Sequence, residues 1–143
     1  MRKQELKFQN HIIDSYKNAG GHARKWASEF TAGNPDLVCS LPGFGVHLME
    51  VKHRPEWIVR KTHKNPLTAL QQSACLQYRA AGGFVTAGVV VGGTNARTTS
   101  LGLFDPLKAE WDLGGALWSA YVLGEGYWIR TLLENFRATH CVA

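Results

Sequence analysis

Asp36, Glu50 and Lys52 stand in the stretch "PDLVCSLPGFGVHLMEVK", which otherwise reads as two short apolar strands joined by a turn at Pro42, Gly43 and Gly45. Charges enter core strands when they are paired, hydrogen-bonded or bound to a metal. Side chains alternate along a strand, so Val46, Leu48, Glu50 and Lys52 share one face and His47, Met49, Val51 and His53 the other. Asp36 opens the first strand just after Pro35. If the two strands form a hairpin, the start of the first lies beside the end of the second, and the three charged residues converge there. The hard oxygens of two carboxylates suit Mg²⁺, with Mn²⁺ as a substitute. Such an ion can lower the pKa of a bound water and neutralise a phosphate oxygen, and a neighbouring ammonium can orient the water or stabilise developing negative charge. This is chemistry for phosphodiester hydrolysis.

Each part has an ordinary alternative. A lone Pro-Asp before a strand is turn chemistry, and a lone Glu-x-Lys in a strand is a solvated face. The combination of PD, a turn and ExK is far less common. Charge distribution points the same way. The 143-residue chain has a net charge of +5, and residues 1–64 hold eleven Lys/Arg against six Asp/Glu while residues 65–143 hold five of each. A one-sided basic bias favours a polyanionic partner such as nucleic acid, the alternative being a basic, solvated face. Cys39, Cys75 and Cys141 form no CxxC or Cys/His cluster, which argues against a disulfide framework or structural zinc and for a reducing compartment. The polar, basic start, Met1-Arg2-Lys3-Gln4-Glu5, does not read as a secretory signal, and no stretch is long enough to span a membrane. The expected setting is cytoplasmic.

Several elements must position these residues. Residues 2–19 read as a helix with a stripe of Phe8, Ile12, Tyr16 and Ala19, stopped by Gly20-Gly21. A short segment, His22 to Phe30, leads to a turn at Thr31–Pro35. Strands follow at about Asp36–Ser40 and Val46–His53. Residues 54–65, "RPEWIVRKTHKN", read as a loop. A second helix is expected from about Pro66 to Ala81, with Asn65 as N-cap, Pro66 at the first position and Gly82-Gly83 as the stop. Strands at Phe84–Val91 and Ser100–Phe104 come next, and residues 115–123 and 127–138 look helical. The order implies an α/β fold with a mixed central sheet flanked by helices, in one domain over residues 1–143.

At this point the sequence resembles a known group. Pro35-Asp36 followed by Glu50-Val51-Lys52 looks like the core motif of the PD-(D/E)xK nuclease superfamily. The fuller string "GNPDLV…LMEVK…LTALQQSACLQYRAAGG" is similar to the virus-type replication and repair nuclease domain (VRR-NUC), found alone in phages and within larger repair nucleases. The resemblance covers about Glu5 to Val91. It implies a restriction-endonuclease-like core in α-β-β-α-β order, with residues 92–143 as an extension. It also implies Asp36, Glu50 and the Val51 backbone carbonyl as metal ligands, Lys52 as the catalytic lysine, Gln71 as a helix-borne glutamine at the site, and Glu5 as a further ligand. Gln71 falls on the stripe of Leu67, Leu70, Ala74 and Tyr78, and Glu5 on the first helix's stripe. Gln72 facing inward, or Gln71 capping a strand backbone, are the alternatives for the one; the helix dipole accounts as well for the other.

"HRPEWIVRKTHKN" follows directly after Lys52 and is the natural DNA contact. Arg54, Arg60, Lys61 and Lys64 would meet phosphates, and Trp57 would stack or pack. The alternative is a solvated loop with Trp57 in the core. His47, His53 and His63 lack zinc spacing and read as surface or phosphate-contacting residues. The expectation is a Mg²⁺-dependent DNA endonuclease selective for structure, such as junctions, flaps or nicks, in phage or repair DNA processing. Holliday-junction resolution would need two active sites and hence a homodimer, with the tryptophan-rich C-terminal region as contact. A sequence-specific restriction-type enzyme and a non-catalytic nucleic-acid-binding protein are the competing readings.

Overall fold

The computed structural model describes residues 3–26, 35–54, 56, 62–92, 99–112, 117–120 and 127–139. In chain order the elements are α1 (Lys3–Asn18), β1 (His22–Lys25), β2 (Leu37–Leu41), β3 (Gly45–His53), β4 (Thr62–Lys64), α2 (Ala69–Ala80), β5 (Val85–Gly92), β6 (Thr99–Phe104), β7 (Glu110–Asp112), β8 (Leu117–Ala120) and α3 (Tyr127–Thr139). Six strands form a sheet in the order β1-β2-β3-β5-β6-β8, and β4 pairs with β7. The β3–β5 pair is parallel and the other pairs are antiparallel, so the sheet is mixed, as expected.

The α1 stripe behaves as its spacing predicts: Phe8, Ile12 and Tyr16 are fully buried. They meet one face of the sheet, where Leu37, Cys39 and Leu41 of β2 alternate inward with Met49 and Val51 of β3. α3 closes the same core with Ile129, Leu133 and Phe136. Gly21 lets the chain turn from α1 into β1 at close quarters, because a Cβ there would overlap the Ser40 carbonyl and the Leu41 side chain. α2 packs on β5 and connects the two parallel strands. Its C-terminal end leads through Gly83 to Phe84, whose carbonyl accepts from Leu48 N at 2.9 Å. The N-terminal end of α2 therefore lies toward Lys52 and His53, at the far end of β3.

The structure departs from the sequence reading in several places. His22–Lys25 is an edge strand paired with β2, although "HARK" has a single buried residue and no apolar alternation. The expected loop after His53 contains β4, held to β7. Within the expected helix of residues 115–123, Leu117–Ala120 instead pairs with β6. α2 starts at Ala69, capped by Thr68 rather than Asn65. Asn65 is committed elsewhere: its Oδ1 accepts from Leu67 N at 2.9 Å and its amide donates to the Pro106 and Lys108 carbonyls. Leu70, placed on the inward stripe, is 61% exposed, and Cys75 is the residue of α2 that is buried.

His47 and His53 are corrections too, since both are buried and neither is on the surface. His53 packs on Phe8, with ring centroids 4.8 Å apart. His47 Nδ1 lies 3.0 Å from the Gly45 carbonyl, which can only accept, so the neutral ring carries its proton there. Nε2 then accepts from the Tyr16 hydroxyl at 2.6 Å. Burial lowers the His47 pKa to about 4, with the Gly45 bond opposing and Arg137 adding to the shift. The folded state thus resists a proton that the unfolded chain takes up near pH 6.5. The histidine contributes stability above about pH 6.5 that is lost as pH falls toward 4, by up to about 3 kcal/mol. Denaturant titrations across this window should show a steeper loss for the wild type than for His47→Asn. Parallel curves would remove His47 as the cause.

Candidate active site

The β2–β3 register pairs Leu37 with Met49, so Asp36 stands opposite Glu50 one step beyond the ladder. There the side chain replaces the backbone: Asp36 Oδ2 accepts from Val51 N at 2.8 Å. The Asp36 carbonyl in turn accepts from Trp26 N at 2.9 Å, which extends the β1 pairing by one residue. Trp26, Asp36 and Glu50 therefore occupy one cross-strand row. Directly opposed residues have Cβ atoms about 4.5–5.5 Å apart. Two carboxylates are thus neighbours, one of them fixed against the Glu50–Val51 peptide. Lys52 follows Glu50 on the same strand face and is half-buried.

Glu50 is fully buried, on the face away from α1. Its surroundings are set by α2. The Cys75 thiol is pushed up to about 12, first by burial and next by the negative charge of Glu50, with Arg79 opposing. Glu50 thus faces the middle of α2. Arg79 is engaged by Asp105 in a two-pronged pair at 2.8 and 3.3 Å. Among the described residues no group of three or more His, Cys, Asp or Glu side chains comes together. The donor set is two carboxylates and the backbone beside them, which fits a hard ion that binds through one or two carboxylates and keeps its remaining positions for water and phosphate oxygens.

Gln71 lies one turn before Cys75 on the same helical face, toward the Lys52 end of β3. Its carbonyl Oε1 accepts from Thr68 N at 2.9 Å, and Gln71 N donates to Thr68 Oγ1 at 3.1 Å, forming a reciprocal capping box. The box leaves the Gln71 amide nitrogen outside this exchange. Gln72 is fixed locally through its own amide, which donates to the Leu67 carbonyl.

Glu5 lies in the first turns of α1, but its side chain is outside the described residues. Of the expected DNA contacts, Arg54 is half-buried and donates to the His53 carbonyl at 2.9 Å, and Lys64 is exposed on β4. Trp57, Arg60 and Lys61 lie outside the described residues. Two neighbours of the site escaped the sequence reading. Cys75 carried no motif, although it stands four residues after Gln71. Trp26 joins the carboxylate row only through β1, the strand that composition did not announce.

Among solved structures the chain is similar to Hjc, a Holliday junction resolvase from the archaeal hyperthermophile Archaeoglobus fulgidus. The identity is 18% and the TM-score 0.58, over 87% of this chain and 99% of that one. This likeness shows the fold, a restriction-endonuclease-like core with a mixed sheet flanked by helices. The chain is also similar to a VRR_NUC domain, at 26% identity and a TM-score of 0.47, over 65% of this chain and 88% of that one. No family model and no curated protein matches it.

The capping box makes a separable prediction. Gln71→Ala should cost about 1 kcal/mol of stability, whereas Gln71→Glu, which keeps the box, should cost almost nothing. Urea midpoints of the two variants check this, and equal losses would mean that the box contributes nothing in solution.

Proposed function

We propose that this chain is a divalent-metal-dependent endonuclease that hydrolyses phosphodiester bonds in branched or otherwise distorted DNA. The observation that carries this reading is the Asp36 carboxylate held by Val51 N directly across from the fully buried carboxylate of Glu50. Two neighbouring carboxylates offer the hard oxygens that a divalent cation such as Mg²⁺ takes. Asp36, Glu50 and the Val51 carbonyl would hold the ion, Mg²⁺ or Mn²⁺, with Glu5 as a further ligand. When bound, the ion supplies Lewis-acid polarisation of the phosphate and a more acidic water. Lys52 donates to the attacking water and offsets negative charge on the phosphate. Gln71, facing the same end, orients that water through its amide. The basic residues Arg54, Arg60, Lys61 and Lys64 hold flanking phosphates, with Trp57 among them.

The Hjc likeness supports a junction as one candidate substrate. Symmetric cleavage of a junction needs two sites and so a homodimer. We place the enzyme in phage or repair DNA processing, in the cytoplasm. No helix among the described residues is long and apolar enough to cross a membrane.

Asp36→Asn and Glu50→Gln should each abolish Mg²⁺-dependent cleavage of a branched oligonucleotide while DNA affinity survives. Neutralising a ligand removes the cation, but the basic segment remains. Wild-type rates in both variants would sink the site assignment, and uncut DNA with the wild-type protein in every metal would leave a binding protein.

Lys52→Ala should retain metal and DNA binding and cut on the order of 10²–10³ more slowly, the usual loss for one preorganised donor. An ammonium has no lone pair for a metal, so its removal leaves metal affinity equal or slightly higher. Calorimetric metal titration with single-turnover cleavage on the same sample reads both halves. Loss of metal binding would instead make Lys52 a structural ion-pair partner.

Lys61→Ala with Lys64→Ala should weaken binding to all sequences alike and lower the log–log salt slope by about one unit per lost contact. An unchanged slope would put the DNA on another surface.

A further inference from the structure

The sheet face that carries the carboxylates continues past them as an open groove. Arg24, Val38 and Leu48 are direct partners across β1, β2 and β3. They form the row next to Trp26, Asp36 and Glu50, two residues or about 6.6–6.8 Å along the strands. This second row floors a depression of about 460 Å³. One wall is Trp26 against Tyr78 of α2, with ring centroids 5.3 Å apart. Val46 forms the mouth and is 71% exposed. Arg24 is exposed at the edge. The volume lies within the range of about 300–1,000 Å³ typical of small-ligand sites.

We propose that this groove receives an unpaired base of the DNA strand being cut, next to the phosphate at Asp36 and Glu50. The proposal rests on the nuclease reading and names its substrate class: DNA with an unpaired or unstacked nucleotide beside the cleaved bond, as in a flap, bulge or open junction arm. Continuity and charge favour this occupant. The groove begins one row from the carboxylates, so the base attached to a phosphate held there reaches it without leaving the sheet face. Its walls are aromatic and apolar, which suits the π-face of any base without reading its sequence. Arg24 supplies positive charge for the next phosphate or for stacking. A fully paired duplex keeps its bases stacked inside the helix, and flipping one out carries an unstacking cost that an unpaired base avoids.

The test uses oligonucleotides carrying 2-aminopurine at the unpaired position of a flap, and the same probe fully paired. Fluorescence titrations without metal compare the wild type with Tyr78→Leu and Val46→Glu. Val46 is exposed, so that variant keeps its fold while putting an acid at the groove mouth. The wild type should quench the flap probe and prefer it to the duplex. Both variants should lose the quench and on the order of tenfold in flap affinity, with duplex affinity unchanged. Equal quenching in all three proteins, or no preference for the flap, would overturn the proposal. So would loss of self-association in Val46→Glu with the quench intact, which would make the groove an interface between copies. Cleavage with Mg²⁺ is read separately: quenching without cleavage would remove the nuclease reading and leave the base-binding groove standing.

Discussion

The hydrogen bond from Val51 N to the Asp36 carboxylate joins the two halves of this site. In a regular hairpin the β2–β3 ladder would continue backbone to backbone. Here a carboxylate takes the acceptor position opposite Val51 N, two residues past Met49. That exchange fixes Asp36 against the Glu50–Val51 peptide without further packing, and it sets the carboxylate beside its partner strand rather than in solvent. The two faces of β3 then divide the work. His47, Met49, Val51 and His53 belong to the α1 side, where aromatic and aliphatic packing hold the strand in register. Slippage by one residue would bring Glu50 and Lys52 to that core and Met49 to the site, so the apolar face enforces the position of the charged one.

The opposite face is organised by α2. Its capping box starts the helix at Ala69, and the parallel connection from β3 to β5 makes it run back along β3, with Cys75 over Glu50 and Gln71 nearer Lys52. Arg79 is held by Asp105, which itself caps the turn after β6 by accepting from Leu107 N. The Trp111 indole donates to the Asp105 carbonyl and stacks on Phe104, with ring planes 10° apart. The chain between β6 and β7 thereby fastens both the C-terminal end of α2 and, through Asn65, the segment that enters it. Toward Val46 the helix leaves the sheet uncovered, and the groove lies there.

Much of this was legible in the sequence because it rests on local patterns. The α1 stripe, the alternation in β3 and the glycine-marked turn between β2 and β3 each follow from short-range rules, and they suffice to bring Asp36 and Glu50 to one place. What was not legible depends on distant partners. "HARK" becomes a strand because β2 offers an edge, and Leu117–Ala120 because β6 does; neither carries the signal in itself. His47 looked like a surface residue because its partners, Tyr16 and the Gly45 carbonyl, satisfy it only once α1 lies on the sheet. Asn65 looked like a helix cap because its carbonyl does bond just ahead, to Leu67 N, while its amide holds a segment some forty residues away. The sequence reading set the helix start at Asn65 and Pro66, whereas the Thr68–Gln71 box starts it three residues later.

The proposed function requires Asp36 and Glu50 to hold a divalent ion jointly. Anomalous diffraction from crystals soaked in Mn²⁺ tests it most directly. A peak within coordination distance of both carboxylates and of the Val51 carbonyl, absent from Glu50→Gln crystals, is the predicted result. Mn²⁺ bound only elsewhere, or Glu50 closed in an ion pair with Lys52 at saturating metal, would contradict it.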